Sequence, residues 1–106
     1  MTLTREDAVR LHRKMWSNMR DELGDNPSID DRCDYKVRWC KEHFPNEYIQ
    51  YHCFLCEYDK MHGNDCKHCP IYWGRTICLG CTNNNVNYKR SPISEILALP
   101  EREVAE

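Results

Sequence analysis

Three C-x-x-C pairs, Cys53/Cys56, Cys66/Cys69 and Cys78/Cys81, stand within about thirty residues of one another. This spacing constrains the fold more than anything else in the chain. Two intervening residues let a tight turn aim both sulfurs at one point, with loop amides free to donate to them. Two such turns complete a tetrahedron of thiolates around Zn²⁺ at about 2.3 Å. The nine residues between the first two pairs include Asp59 and His62-Gly63-Asn64-Asp65, a turn-forming stretch that can fold the chain back. Cys53, Cys56, Cys66 and Cys69 are therefore the expected ligands of one structural zinc. Cys78 and Cys81 leave a second arrangement open. They can replace one of those pairs, join Cys40 and His43 in a second, cross-braced zinc site, or remain, one or both, as free buried thiols. His52, His62 and His68 each lie beside a cysteine better placed to bind the ion.

A metal is also what a chain of this size needs. With 106 residues there is room for a single domain, and its apolar fraction leans on Cys, Tyr, Trp and Met rather than large aliphatics. So small a core leaves a thin stability margin, which metals or disulfides usually supplement. Residues Met1 to Arg10 mix both signs of charge and carry no apolar core of a signal peptide. No run approaches the roughly 20 apolar residues that span a bilayer. A cytoplasmic location follows as the expectation. There thiols stay reduced, which favours zinc over the disulfide framework that eight cysteines would otherwise suggest. The formal net charge is −2, and a four-thiolate zinc site makes it more negative, so a general polyanion binder is disfavoured.

The remaining segments read as helices around a zinc module, in a single zinc-stapled domain covering 1–106. A first helix is expected over 4–24, capped by Thr4 with Asp7 three residues on, and ended by Gly24. Its apolar stripe is Ala8, Leu11, Met15, Met19 and Leu23. Arg10, Arg13, Lys14 and Arg20 fall mostly off that stripe, on a solvated face or a basic docking face. A second helix is expected over 28–44, opened by Ser28 and Asp31 and stopped by Pro45. Here Cys33, Val37, Cys40 and Phe44 share one side, which makes Cys33 and Cys40 small buried hydrophobes rather than ligands. Residues 46–81 form an irregular zinc module, entered by a short strand through the alternating Tyr48, Ile49, Tyr51, Cys53 and Leu55. A last helix is expected over 91–100, with Pro92 at its first helical position, followed by a frayed tail over 101–106. Trp16, Trp39 and Trp73 are assigned to the core between helices and metal loops. The fold class is a small, α-rich α+β domain.

Four thiolates close the coordination shell and leave no water to activate, so the expected zinc is not catalytic. The chain has no H-E-x-x-H, no deaminase signature and no Gly-rich phosphate loop. Its C-x-x-C pairs lie in turn-rich sequence rather than at the helix start of a βαβ unit, as redox chemistry would require. A non-enzymatic protein without a small-molecule substrate is expected.

Further motifs run along nearly the whole chain: Leu11-His12-Arg13-Lys14-Met15-Trp16, Trp39, and Cys53-Phe54-Leu55-Cys56-Glu57-Tyr58. They continue with Cys66-Lys67-His68-Cys69-Pro70-Ile71-Tyr72-Trp73, Cys78, Tyr88 and Ile96-Leu97-Ala98-Leu99-Pro100. In these the chain resembles a group of small cysteine-containing proteins encoded by phages and prophages. Cys81 and the Asn-rich loop after it depart from that pattern. The resemblance implies a helix, a zinc-bearing middle and a C-terminal helix, but no activity. It places the chain in the cytoplasm of a bacterial host, as an accessory protein that binds and modulates a host or defence-system protein. Two alternatives stand beside this: a nucleic-acid-binding zinc module using Arg10, Arg13, Lys14 and Arg20, and a structural phage component.

Overall fold

In the computed structural model the chain is described over residues 2–49, 52–61, 69–71, 86 and 89–101. Four helices occur among these residues: α1 (Arg5–Leu23), α2 (Ile29–His43), α3 (Phe54–Lys60) and α4 (Ile93–Leu97). The α-rich fold class is as expected.

The first two helices begin where their sequences say. Thr4 Oγ1 accepts from the Asp7 amide at 3.1 Å, and Ser28 Oγ accepts from the Asp31 amide at 3.2 Å. Each hydroxyl satisfies an amide that the first helical turn leaves without a carbonyl. Acidic residues follow in both first turns, where they oppose the positive end of the helix dipole. At the far end of α1, Gly24 adopts φ 86° while its N–H donates to the Arg20 carbonyl at 2.9 Å. Only glycine adopts that φ without strain, and the chain turns there into Asp25-Asn26-Pro27.

α1 is the central element and packs against α2, α3 and α4. Ala8, Leu11, Met15 and Met19 are buried as the stripe predicts, and Val9, His12 and Trp16 widen the covered face. Leu23, the last residue of the stripe, is 37% exposed at the helix end. Trp16 and Trp39 are both core residues, whereas Trp73 lies outside the described residues.

α2 turns a different side inward from the one its apolar spacing suggests. Cys40 is buried and Phe44 packs against the core, but Cys33 is exposed and Val37 is 45% exposed. The covered face is Arg32, Tyr35, Lys36, Trp39 and Cys40. Relative to expectation the helix is rotated by about a quarter turn. Burying Tyr35 and Trp39 removes far more apolar surface from water than burying Cys33 and Val37. Arg32 and Lys36 share the covered face, where long side chains can bury their aliphatic stems. The expectation that Cys33 is a small buried hydrophobe is thus corrected, and the same expectation for Cys40 holds.

No strand forms at the described residues of the expected Tyr48 to Leu55 segment, and from Phe54 they are helical; Tyr51 lies outside the described residues. His52 has φ 51° and its N–H donates to the Ile49 carbonyl at 2.9 Å, just before Cys53. From Phe54 the backbone is helical. The alternating apolar residues there pack as a helix start, because Phe54 must reach Trp39 and Phe44, with ring centroids at 5.6 and 5.7 Å. Among the described residues the strand content is one isolated antiparallel bridge, Ile71 to Glu101.

α4 is shorter than the predicted 91–100. Pro92 is its N-cap rather than its first helical residue, and the helix ends at Leu97, before Glu101 pairs with Ile71. It carries no side-chain cap of its own. Its N-terminus is held by Asp25 instead, which accepts from the Ser94 amide and hydroxyl.

Candidate metal centre

The site begins with Cys53, the residue between the His52 turn and α3. It occupies the N-cap position, and its Sγ accepts from the Cys56 amide at 3.4 Å. A sulfur here plays the part that Thr4 and Ser28 oxygens play in α1 and α2. C-x-x-C spacing places the second cysteine at the third helical residue, so both sulfurs sit at the same end of α3. Phe54 and Leu55, the two residues between them, are fully buried and lock that end against α1 and α2. Cys69 is fully buried as well.

The electrostatics show how crowded these sulfurs are. Cys53 is pulled down to about 7, first by the hydrogen bond from the Cys56 thiol, with the Lys36 charge and the Leu55 and Cys56 amides adding to it. Burial opposes that shift. Cys56 is pushed strongly upward, because its proton is held on Cys53 and because burial and the charges of Cys53 and Cys69 disfavour a second thiolate. One proton is therefore shared between the two sulfurs. A divalent cation that displaced it would let both ionise, and this is how a thiolate site couples metal binding to proton release. The donor chemistry of Cys53, Cys56 and Cys69 fits zinc. Among the described residues no group of three or more His, Cys, Asp and Glu side chains is gathered closely enough to hold a metal. Cys66, Cys78 and Cys81 lie outside the described residues.

Cys40 is a neighbour of this centre. Burial pushes its thiol up to about 11, and the charge of Cys53 adds to the rise. It is held as a neutral thiol in the core. His43 does not share its position: its ring stacks on Trp39 at 3.9 Å and its Nδ1 lies 2.9 Å from the Trp39 carbonyl oxygen. Cys33, on the outer side of α2, lies away from these sulfurs.

Two charged features escaped the sequence reading. Glu57, immediately after the first pair, is completely buried, and Lys60 on the next turn meets its Oε2 at 2.9 Å. The i, i+3 spacing of these two residues is the signal that could have found the pair. Lys36 is 9% exposed, with its Nζ 5.9 Å from the Trp16 ring centroid. Its charge reaches Cys40, Cys53 and Cys56, lowering all three. No local pattern announces it, because Lys36 does not lie on the apolar side formed by Cys33, Val37, Cys40 and Phe44.

The four basic residues of α1 that form the expected basic face, Arg10, Arg13, Lys14 and Arg20, are mostly engaged within the protein. Arg10 pairs with Asp7 at 3.4 Å, and Arg20 pairs with Asp25 at 3.4 Å. Arg13 donates to the Leu99 carbonyl at 3.5 Å, and Lys14 is exposed. No helix among the described residues is long and apolar enough to cross a membrane.

No protein-family model matches the chain, and neither curated proteins nor solved structures show a significant match to it.

Proposed function

We propose that the chain is a zinc-stapled accessory protein of the phage type, acting by binding a host or defence-system protein rather than by catalysis. The observation that carries this reading is the outer side of α2. Ile29, Cys33 and Val37 repeat every four residues along it, and Ile29 and Val37 are 44% and 45% exposed. This helix therefore has apolar residues on two sides, and the core occupies only one. The row runs into an open groove of about 180 Å³ lined by Val37, Lys41, Phe44, Pro45, Tyr48 and His52. Tyr48 stands 80% exposed at its rim.

An amphipathic segment laid against such a row buries apolar positions at helical spacing. An exposed tyrosine beside a pocket is the residue type that dominates interface energetics. Asp30 and Asp34 flank the row near its start, and Lys41 lies near its end. The fitting partner is thus a protein helix with an apolar stripe and basic residues where it meets Asp30 and Asp34. The pairing of Arg10, Arg13 and Arg20 within the chain lends no support to the nucleic-acid alternative.

The test is affinity capture from a bacterial host with the full chain and two variants, Val37→Glu and Tyr48→Ala. Capture of one protein by the natural chain, lost in both variants while circular dichroism is unchanged, supports the reading. Undiminished capture by Val37→Glu overturns it. The zinc is tested separately, by elemental analysis of the purified protein.

A further inference from the structure

The partner helix that fits the outer side of α2 has an apolar stripe and basic residues placed to meet Asp30 and Asp34. α2 of a second copy of this chain has both. Its row of Ile29, Cys33 and Val37 repeats every four residues, and Ile29 and Val37 are nearly half exposed. Asp30, Asp34 and Lys41 are exposed at i, i+4 and i+11, a spacing that sets all three on one flank of the row. None of the three makes an ion pair among the described residues. The face is polarised in shape as well as in charge. Ile29 stands at the acidic end, while the groove around Lys41, Phe44, Pro45 and Tyr48 lies at the basic end, about 18 Å further along the helix.

We infer that two copies of this chain pair through α2, antiparallel about a two-fold axis that crosses the helix near residue 35. The inference rests on the reading of this face as a docking surface and names its occupant in the free protein. An antiparallel two-fold sets each flank against the same flank in reverse order, so the acidic end meets the basic end. With the axis near residue 35, Cys33 lies against Val37 of the second copy, and Asp30 lies beside its Lys41. Ile29 then reaches the groove next to that Lys41, and the symmetry repeats every contact. A parallel pairing would instead set Asp30 and Asp34 against their own counterparts and leave both grooves unfilled. Like charges facing one another exclude that register. A helix of 15 residues offers a small interface, so the association is weak and a host-protein helix with the same stripe competes with it.

Sedimentation velocity of the full chain under reducing conditions reads the pairing. The mass should rise from 12.7 kDa toward twice that value as the concentration approaches the millimolar range. Val37→Glu should remain monomeric. Asp30→Lys and Lys41→Asp should each weaken pairing about tenfold, since each reverses two symmetry-related surface pairs. The double variant should restore it. Both substitutions oppose the dipole of α2, so that rescue does not come from a steadier helix. Circular dichroism of each variant checks that the helices persist. A natural chain that stays monomeric overturns the inference and leaves the host-protein reading intact. Pairing that survives Val37→Glu, or a double variant without rescue, also overturns it. Pairing lost in Val37→Glu while that variant still captures its host protein supports the inference and removes the host-protein reading alone.

Discussion

Asp25 accepts two hydrogen bonds from Ser94, one from the backbone amide at 2.7 Å and one from the hydroxyl at 2.8 Å. The Asp25 carbonyl also accepts from the Ile93 amide at 2.8 Å. A turn between α1 and α2 thereby supplies the cap that α4 lacks. Arg32 reinforces the join, donating to the Pro27 carbonyl at 3.0 Å and to the Ser91 carbonyl at 2.7 Å. A five-residue helix has little stability of its own, so α4 depends on this tie and on the burial of Ile93 and Ile96 against the core.

Replacement of Asp25 should therefore be felt at α4. In Asp25→Ala, hydrogen exchange at the amides of residues 93–97 should speed up while α1 amides stay protected. Asp25→Asn should be intermediate, because it still accepts from the Ser94 amide. The Ser94 bonds also hold the Asp25 carboxyl below its ordinary pKa. A depressed carboxylate stabilises the fold above its unfolded pKa, near 3.9, and loses that contribution as pH falls through the folded value. The acid limb of a pH–stability curve should accordingly be shallower in Asp25→Ala.

His12 gives a second acid sensitivity, over a different range. It is 3% exposed, and burial together with the Lys36 and Arg13 charges lowers it from 6.5 to about 3. The unfolded chain binds this proton more readily than the folded one, so stability is complete above pH 6.5 and declines from there toward pH 3. Acid should destabilise the natural chain by several kcal/mol through this group, about 1.4 per pKa unit. In His12→Gln the slope between pH 6.5 and 4.5 should flatten, as read from urea midpoints. Thiolate protonation contributes equally to both chains and cancels in their difference.

Gly24 tests the backbone rather than a contact. A Cβ built there meets nothing within 4 Å, so any cost of Gly24→Ala comes from φ 86° alone. The expected loss is about 1–3 kcal/mol in denaturant unfolding, and Gly24→Asn should lose as much, because ψ −176° lies outside the left-handed helical region that Asn tolerates.

Metal content should separate the cysteines into two groups. Cys53→Ser and Cys56→Ser should each lower the zinc recovered per chain and reduce helicity, since metal binding and folding are coupled. Cys33→Ser should leave the zinc content unchanged, because Cys33 is exposed on the outer side of α2. Cys40→Ser should also keep its zinc but lose stability, since it puts a hydroxyl into a core position that is 4% exposed. Loss of zinc from Cys40→Ser would place that thiol among the ligands.

The packing of Phe54 joins α2, α3 and the sulfur pair. It is fully buried and meets both Trp39 and Phe44 edge-on. Phe54→Ala should cost about 3–5 kcal/mol and should weaken zinc retention, because the orientation of Cys53 and Cys56 depends on it.

The sequence alone determined what depends on neighbours a few positions apart. The caps at Thr4 and Ser28, the stop at Gly24 and the pairing of Cys53 with Cys56 are contacts between residues three or four apart, so spacing reveals them. Tertiary structure decided the rest, because those outcomes depend on which surfaces compete for burial. Tyr35 and Trp39 outweigh Cys33 and Val37, which turns α2 and leaves an apolar row outside. That turn carries Lys36, polar by residue type, into the core over the Trp16 ring. Phe54 makes a helix of a segment that alternates like a strand, since only there can it meet Trp39 and Phe44. The cap of α4 comes from Asp25, a residue distant in sequence that only folding brings to Ser94.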